Sequence, residues 1–481
     1  MLCWQHRAQR WLGAASLGVV LLAARAARAE TGSPGDGLDE PSALDQLDAL
    51  DELDSITETQ QPGQDGLRIE RFKGFAAEEL RVFPWDRGGP GNDQQLLTEL
   101  QLELGLHLIG NLSAFVRPWL LVDALDTELL RYEPLEAYLA YDARDWDLAL
   151  GQFVENWGIA DAFNPIDVFN RRDYAVDLLD PPRRGELGAR VRAFLPGGEL
   201  IDQPTLSAYL VRWWRRTEFP SADNRFSVGQ GAVAFDPERG QEPHGVESLL
   251  WALRFDHTLS SAPVAADVQY LVARGPERLP RFAPLLTAAE SPLLVPVYHG
   301  SWTLGAGFRA VPTASWWSEF TFKAELVYKR PYSFDRGFPT LPGAEANADT
   351  PGDYVQYVVG FDRVFNPIFA AHDRVTLTAE YLGEHGARDP ASQLRLFDHD
   401  VALRLFWQAG DFPRTSVELG AIVDVSDGEW LAEAEIGRQL RVLHDDLRLE
   451  LGARHIRAAD GGLWSLFPNN SSITSRLQFD F

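Results

Sequence analysis

The chain has 481 residues, with 70 acidic and 44 basic side chains and a formal net charge of −26. That acid excess excludes a nucleic-acid-binding role spread over the chain. The only cysteine, Cys3, and the only methionine, Met1, stand at the N-terminus, so disulfides, thiolate metal sites and cysteine nucleophiles are excluded from the rest.

At the N-terminus, His6, Arg7 and Arg10 precede an apolar run from Trp11 to Ala24, and Ala27-Arg28-Ala29 follows. Small residues at the two positions a signal peptidase reads predict a secretory signal peptide over residues 1–29. Cys3 lies before the apolar run and not after it, so it is no lipoprotein acylation site. Cleavage removes Arg7, Arg10, Arg25 and Arg28 and no acid, taking the charge from −26 to −26 − 4 = −30. Residues 30–65 follow as an acidic segment in which Leu44, Leu47, Leu50 and Leu53 recur every third residue. One narrow leucine stripe buries little area, so the segment reads as a solvated periplasmic tail, disordered or short-helical.

From Gly66 the hydrophobic period changes to two. In "LLTELQLELGLHLIG", Leu96, Leu100, Leu102, Leu104, Leu106 and Leu108 share one face, while Glu99, Gln101, Glu103, Gly105 and His107 share the other. Such alternation gives a strand one apolar and one wet face. About ten residues, tilted, cross a bilayer core. The pattern returns in "NLSAFVRPWLLVD", "PLEAYLAYD", "ELGARVRAF", "LLWALRFD", "SWTLGAGFRA", "SEFTFKAELVYK", "DRVTLTAEYL" and "DLRLELGARH". Aromatics make up 11% of the chain, with 15 tryptophans. That content is ordinary for a membrane barrel with interfacial girdles, where Trp213-Trp214 and Trp316-Trp317 fit.

Connections alternate as well. Gly110-Asn111, Asp142 to Asp145, Pro312 to Ser315 and Gly410 to Arg414 are short; Trp157 to Arg184, Trp214 to Val246, Arg330 to Asp353 and Gly383 to Asp398 are long. Short turns on one rim and long loops on the other predict an all-β, transmembrane, antiparallel up-and-down barrel over 66–481. The count is 18 strands, or 16 as the next even number, with "RFSVGQGAVAF" (Arg225 to Phe235) read as part of a long loop. The topology places Asp223, Ala344 and Arg388 at the cell surface. The chain closes with "ITSRLQFDF". An open edge in lipid leaves backbone groups unpaired, so the last strand must pair with the first. Leu477, Phe479 and Phe481 are then expected to face lipid as the closing stripe, with Phe481 at the periplasmic interface.

One connection differs from the others. "GQFVENWGIADAFNPIDVFNRRDYAVDLLDPPRRGELGARV" mixes Phe163, Ile166, Val168, Phe169 and Tyr174 with Asn164, Asp167, Asn170, Arg171, Arg172 and Asp173, stiffened by Asn164-Pro165 and Pro181-Pro182. Apolar residues in that number need a wall, and folding inward supplies one. The expected constriction residues are Asn164, Asp167, Asn170, Arg171, Arg172 and Asp173. The lumen face of the strands is expected to carry Glu99, Glu103, Arg117, Glu136, Arg190, Arg192, Arg254, Glu319, Lys323, Glu325, Glu380, Arg404, Glu418, Arg448 and Glu450. The pore wall proper is assigned to Glu99, Glu103, Arg117, Arg190, Arg192, Lys323, Glu325 and Arg404. Mixed charge suits a water-filled passage, and it equally suits cross-strand pairs that stiffen the wall.

From about Gly66 the chain resembles porin-like outer-membrane barrels of Gram-negative bacteria, and "WG....FNP.DVFN.RDY" resembles a loop in a poorly characterised proteobacterial branch of them. The resemblance implies the bacterial outer membrane, passive or selective diffusion of small polar solutes, and an inward loop after the fifth strand. It also implies contact with membrane lipids and lipopolysaccharide, recognition of the C-terminal strand by barrel-assembly machinery, and room for a homo-oligomer. The alternatives are a conduit for a lipid or exported polysaccharide and a barrel-embedded hydrolase. His299 and Ser301 in "YHGSW" are not a catalytic pair by spacing alone, and no nucleophile elbow, metalloprotease helix or metal-ligand histidine spacing occurs. No catalytic residue, metal or cofactor is therefore expected.

Overall fold

The computed structural model describes residues 66–481 apart from 86–92, 126–128, 178–179, 221–225, 227–233, 237–241, 244, 262, 286–292, 314–316, 335–351, 366–372, 387–398, 411–413 and 460–469. The predicted signal peptide, the acidic segment 30–65, Trp316 and the surface positions Asp223, Ala344 and Arg388 lie outside the described residues.

Eighteen strands form one closed antiparallel sheet. They are β1 (Arg68–Val82), β2 (Gln94–Ile109), β3 (Leu112–Asp123), β4 (Pro134–Asp142), β5 (Trp146–Phe153), β6 (Glu186–Phe194), β7 (Ile201–Val211), β8 (Leu250–Ser261) and β9 (Val264–Pro276). The second half is β10 (Gly300–Pro312), β11 (Phe320–Tyr332), β12 (Tyr354–Phe365), β13 (Arg374–Gly386), β14 (His399–Gln408), β15 (Thr415–Asp424), β16 (Trp430–Gln439), β17 (Leu447–Arg457) and β18 (Ser472–Asp480). Each pairs with its sequence neighbours, and β1 pairs with β18 from Phe75↔Asp480 to Val82↔Ile473. Gly74 and Phe481 then exchange both backbone hydrogen bonds, at 2.7 and 2.9 Å. Closure leaves no sheet edge to be satisfied by water, which a wall in hydrocarbon requires.

The period of two sorts the side chains. Leu139, Leu150, Val191, Leu206, Leu253, Leu304, Leu326, Val359, Leu403, Leu419, Ile436 and Leu451 point outward and are exposed, one on each of twelve strands. Aromatic clusters border this belt. Tyr141 with Trp146, and Trp317 with Phe320, Phe322 and Phe361, lie on the short-turn rim. Trp251 with Trp302 lies on the long-loop rim. Among the described residues no helix is long and apolar enough to cross a membrane; crossing by strands needs none.

Three expectations are corrected. Leu477 is 40% exposed on the outer face, but Phe479 is 3% exposed. His444 of the turn before β17 packs on its ring at 5.1 Å and Phe481 stacks on it at 6.2 Å, so the turn covers it. Glu319 lies in the turn before β11 and pairs with Arg363, off the lumen wall. Trp213 is exposed as a girdle residue should be, but Trp214 is buried against Tyr298 and Arg278 in the long-loop cap.

Candidate functional site

The connection from β5 to β6 covers residues 154–185 and folds into the barrel. Its first limb packs Trp157, Ile166 and Phe169 against the inner faces of β7 (Tyr209, Val211), β8 (Leu250, Ala252), β9 (Leu271, Ala273) and β11 (Val327). Burying side chains of this size contributes about 1.5–3 kcal/mol each. The wall is cut back to receive them. Gly305 and Gly307 of β10 face inward, and a Cβ at Gly307 would meet Ile166 at 3.1 Å.

The tip then reaches the far side. Ala160, with Ala162 and Phe163, packs on Val358 of β12, Leu382 of β13, Ala402 of β14 and Ile422 of β15. In a ring of eighteen strands, β14 stands opposite β5, so the loop bridges the lumen. Its turn depends on Gly158, at φ 107°, where a Cβ would collide with the Asn164 side chain. The glycine and the asparagine of the "WG....FNP" run are thus two halves of one contact.

Carboxylates of the wall hold the tip near the mid-height of the strands. Glu325 of β11 accepts from the backbone N–H of Ile159, of Ala160 at 2.9 Å and of Ile166 at 3.3 Å. Glu380 of β13 accepts from the N–H of Asp161 and Ala162, both at 2.8 Å. Four consecutive amides therefore converge on two carboxylates, an anion cradle whose anions belong to the protein. Lys323 of β11 completes the latch by pairing with Asp161, with Asp362 at 2.9 Å and with Glu380 at 3.3 Å. Hydrogen bonds to charged groups contribute about 1.5–3 kcal/mol each.

The returning limb crosses to the other flank. Ala175 and Val176 pack with Leu97, Trp119, Leu121 and Leu135 on β2 to β4 and with Leu129 in the connection between β3 and β4. Arg454 of β17 binds Asp177 at 3.1 Å, and Arg81 of β1 reaches Val176 O at 3.0 Å. Asn170 ties the two limbs: its Oδ1 accepts from Glu155 N–H at 2.9 Å and its Nδ2 donates to Asp167 at 2.7 Å. Burial pushes the Tyr174 phenol up to about 12, so it stacks as a neutral ring on Phe219.

The six expected constriction residues separate into two groups. Asn164, Asp167, Asn170 and Arg172 border a cavity of about 1860 Å³, with Arg172 donating to Asp167 at 3.0 Å. Arg171 and Asp173 do not reach it, which corrects their assignment to the narrowest point. Both are buried in the cap formed with neighbouring long loops. Arg171 pairs with Glu133 and Glu218, each at 3.1 Å. Asp173 pairs with Arg131 at 2.8 Å and Arg184 at 2.9 Å. An isolated bridge between Asp173 and Glu218 carries this segment alongside another loop and so away from the lumen.

The wall residues fall on the inner face, mostly in pairs. Glu103 meets Arg71 at 2.9 Å, Arg117 meets Glu136 at 2.6 Å, and Glu99 meets Arg476 at 2.9 Å. Arg190 pairs with Glu155 and Arg192 with Asp147, both at 2.6 Å, and Arg254 pairs with Asp256 at 2.7 Å. Arg404 grips Glu418 through two bonds of 2.7 and 2.8 Å. Sequence reading passed over Glu155 and Asp161, which sit in the loop with no periodicity to mark them. Asp147, on β5, was recoverable from its alternation.

Ser301 shares a hydrogen bond with Thr303 at 3.4 Å, and His299, whose pKa burial lowers, has no partner on Nε2 among the described residues. Among the described residues no group of His, Cys, Asp or Glu has the arrangement of a metal site.

No protein-family model matches the sequence, and no curated protein does. Solved structures with a similar course of chain include a BenF-like porin from Pseudomonas fluorescens, at 11% identity and a TM-score of 0.47, covering 86% of this chain and 98% of that one. Acinetobacter baumannii OccAB1 gives 8% identity and 0.46, with 85% and 95% covered. Pseudomonas aeruginosa OccK11 gives 11% and 0.44, with 88% and 99% covered.

Proposed function

We propose that this barrel is a bacterial outer-membrane channel through which small polar solutes diffuse, passively or with selection, past the 154–185 loop. The observation that carries the reading is the bridging of the lumen: a tip anchored by Glu325, Glu380 and Lys323 on the wall opposite the strand it leaves. Such a crossbar narrows a barrel of this size while leaving a charged, wettable wall. A charged lining supports water and ions where an apolar one would dewet. Asn164, Asp167 and Arg172, with Asp161, are the loop's polar residues on the cavity. Arg117, Arg190, Arg192 and Arg254 line the same cavity.

A conduit for lipid calls for an apolar lumen or an open seam. The charged lining and the paired β1–β18 seam favour a polar solute instead. The outward apolar belt and its aromatic borders fit lipid and lipopolysaccharide as surroundings. The C-terminal strand, paired to its last residue, fits recognition by barrel-assembly machinery. Planar-bilayer recording of the refolded protein tests the reading: discrete ohmic steps are expected, and a silent bilayer with correctly folded protein would overturn it.

A further inference from the structure

The loop does not cover the wall evenly, and the inequality locates the passage. Under the loop, the inward side chains are sealed: Val327 and Glu380 are 0–2% exposed and Lys323 3%. Along β14 to β16, Arg404, Glu418 and Glu433 stand in water, 39%, 38% and 41% exposed, while Arg454 and Glu450 of β17 are 19% and 20% exposed. Among the described residues, the loop packs on Ala402 and Ile422 of this sector at its tip and binds Arg454 at the returning limb. Between those edges glycine takes one inward position on each of three adjacent strands: Gly420, Gly437 and Gly452. A Cβ at Gly420 would find nothing closer than 4.0 Å. At Gly437 the Arg448 side chain, and at Gly452 the Thr474 hydroxyl, occupy that space, so the open place in the wall is at Gly420.

We infer that solutes pass the loop along the β14–β17 wall, and that Glu435 sets the charge preference of this passage. The inference rests on the channel reading above. Glu435 lies on β16 directly across from Glu418 on β15, and Gly437 beside it faces Glu450 of β17. Glu418 and Glu450 each have an arginine partner, Arg404 and Arg448. Glu435 is exposed to the lumen and has no hydrogen-bond or ion-pair partner among the described residues. An uncompensated carboxylate at a narrow place favours cations and disfavours anions. On the opposite flank Arg190, Arg192 and Arg254 are each neutralised by an adjacent acid.

The test uses the protein expressed with Cys3→Ser, so that an introduced thiol is the only one whether or not the N-terminal segment is retained. Gly420→Cys should react with a bulky cationic thiol reagent, and conductance should fall at least about twofold. Val327→Cys, sealed under the loop, should not react. In mildly alkaline buffer and a salt gradient, Glu435→Gln should lower the cation-to-anion permeability ratio at least about twofold with conductance retained. Arg254→Gln should move that ratio less. If both Gly420→Cys and Glu435→Gln are silent in a conducting protein while Arg254→Gln shifts the ratio, solutes pass on the arginine flank and the inference falls alone. If the unmodified protein does not conduct, the channel reading falls and takes this inference with it.

Discussion

The inner wall has two sectors built from the same residue types with opposite outcomes. Along β11 to β13, Glu325 and Glu380 are buried under the loop and accept from its backbone amides, while Lys323 pairs with the Asp161 carboxylate. Along β14 to β16, Arg404 pairs with Glu418 and both stay more than a third exposed, as does Glu433. A polar inward residue is therefore no guide to its role. Where a second backbone lies against it, it is an anchor; where water does, it is part of a passage.

Removing the crossbar should erase the difference, and it is the largest effect expected. Deletion of residues 159–166, closed by a short glycine linker, should raise single-channel conductance several-fold, on the order of 2–5-fold, because the lumen gains cross-section at its narrowest level. Unchanged conductance in a folded barrel would mean the loop does not limit flow.

A subtler break is Glu325→Ala. It leaves the amides of Ile159, Ala160 and Ile166 without their acceptor, at about 1–3 kcal/mol for each buried group left unsatisfied. The expected outcome is rapid flicker between two current levels and faster hydrogen exchange at those amides. Glu325→Gln keeps an acceptor and should fall between the variant and the parent. Equal behaviour of the alanine and glutamine variants would remove the anchoring role.

The cap supplies a third comparison, between neighbours in sequence. Asp173→Ala takes the shared acceptor from Arg131 and Arg184, and breaking a buried pair costs about 3–5 kcal/mol. The midpoint of thermal unfolding in detergent should fall while selectivity holds. Arg172→Gln should do the reverse, since Arg172 borders the cavity. A selectivity change on Asp173→Ala with unaltered unfolding would return that residue to the passage.

The smallest effect on stability is expected in the open sector. Arg404→Gln removes an exposed pair worth less than about 1 kcal/mol, so unfolding should not move. Freed Glu418 should make reversal potential slightly more cation-selective. A loss of stability there would show that the pair braces the wall.

The alternation of apolar and polar residues determined the barrel by itself. Side chains of a strand point to opposite faces with a period of two, so the stripe through Leu100 to Leu106 settles which face meets lipid without any tertiary information. The two rims and the strand count follow from the lengths of the connections, which are equally local. The closing role of the C-terminal strand was legible because an edge cannot persist in hydrocarbon. Its finer reading was not, since Phe479 is covered by a turn some thirty-five residues earlier in the chain. The loop's apolar content announced that it needed a wall. Only the tertiary structure decided which wall it found, and so which inward charges became anchors and which of its own charges, Asp167 and Arg172 but not Arg171 and Asp173, kept contact with the cavity. Those assignments depend on what lies opposite a residue across the lumen, 150 to 220 positions away in sequence, and no local pattern carries that distance.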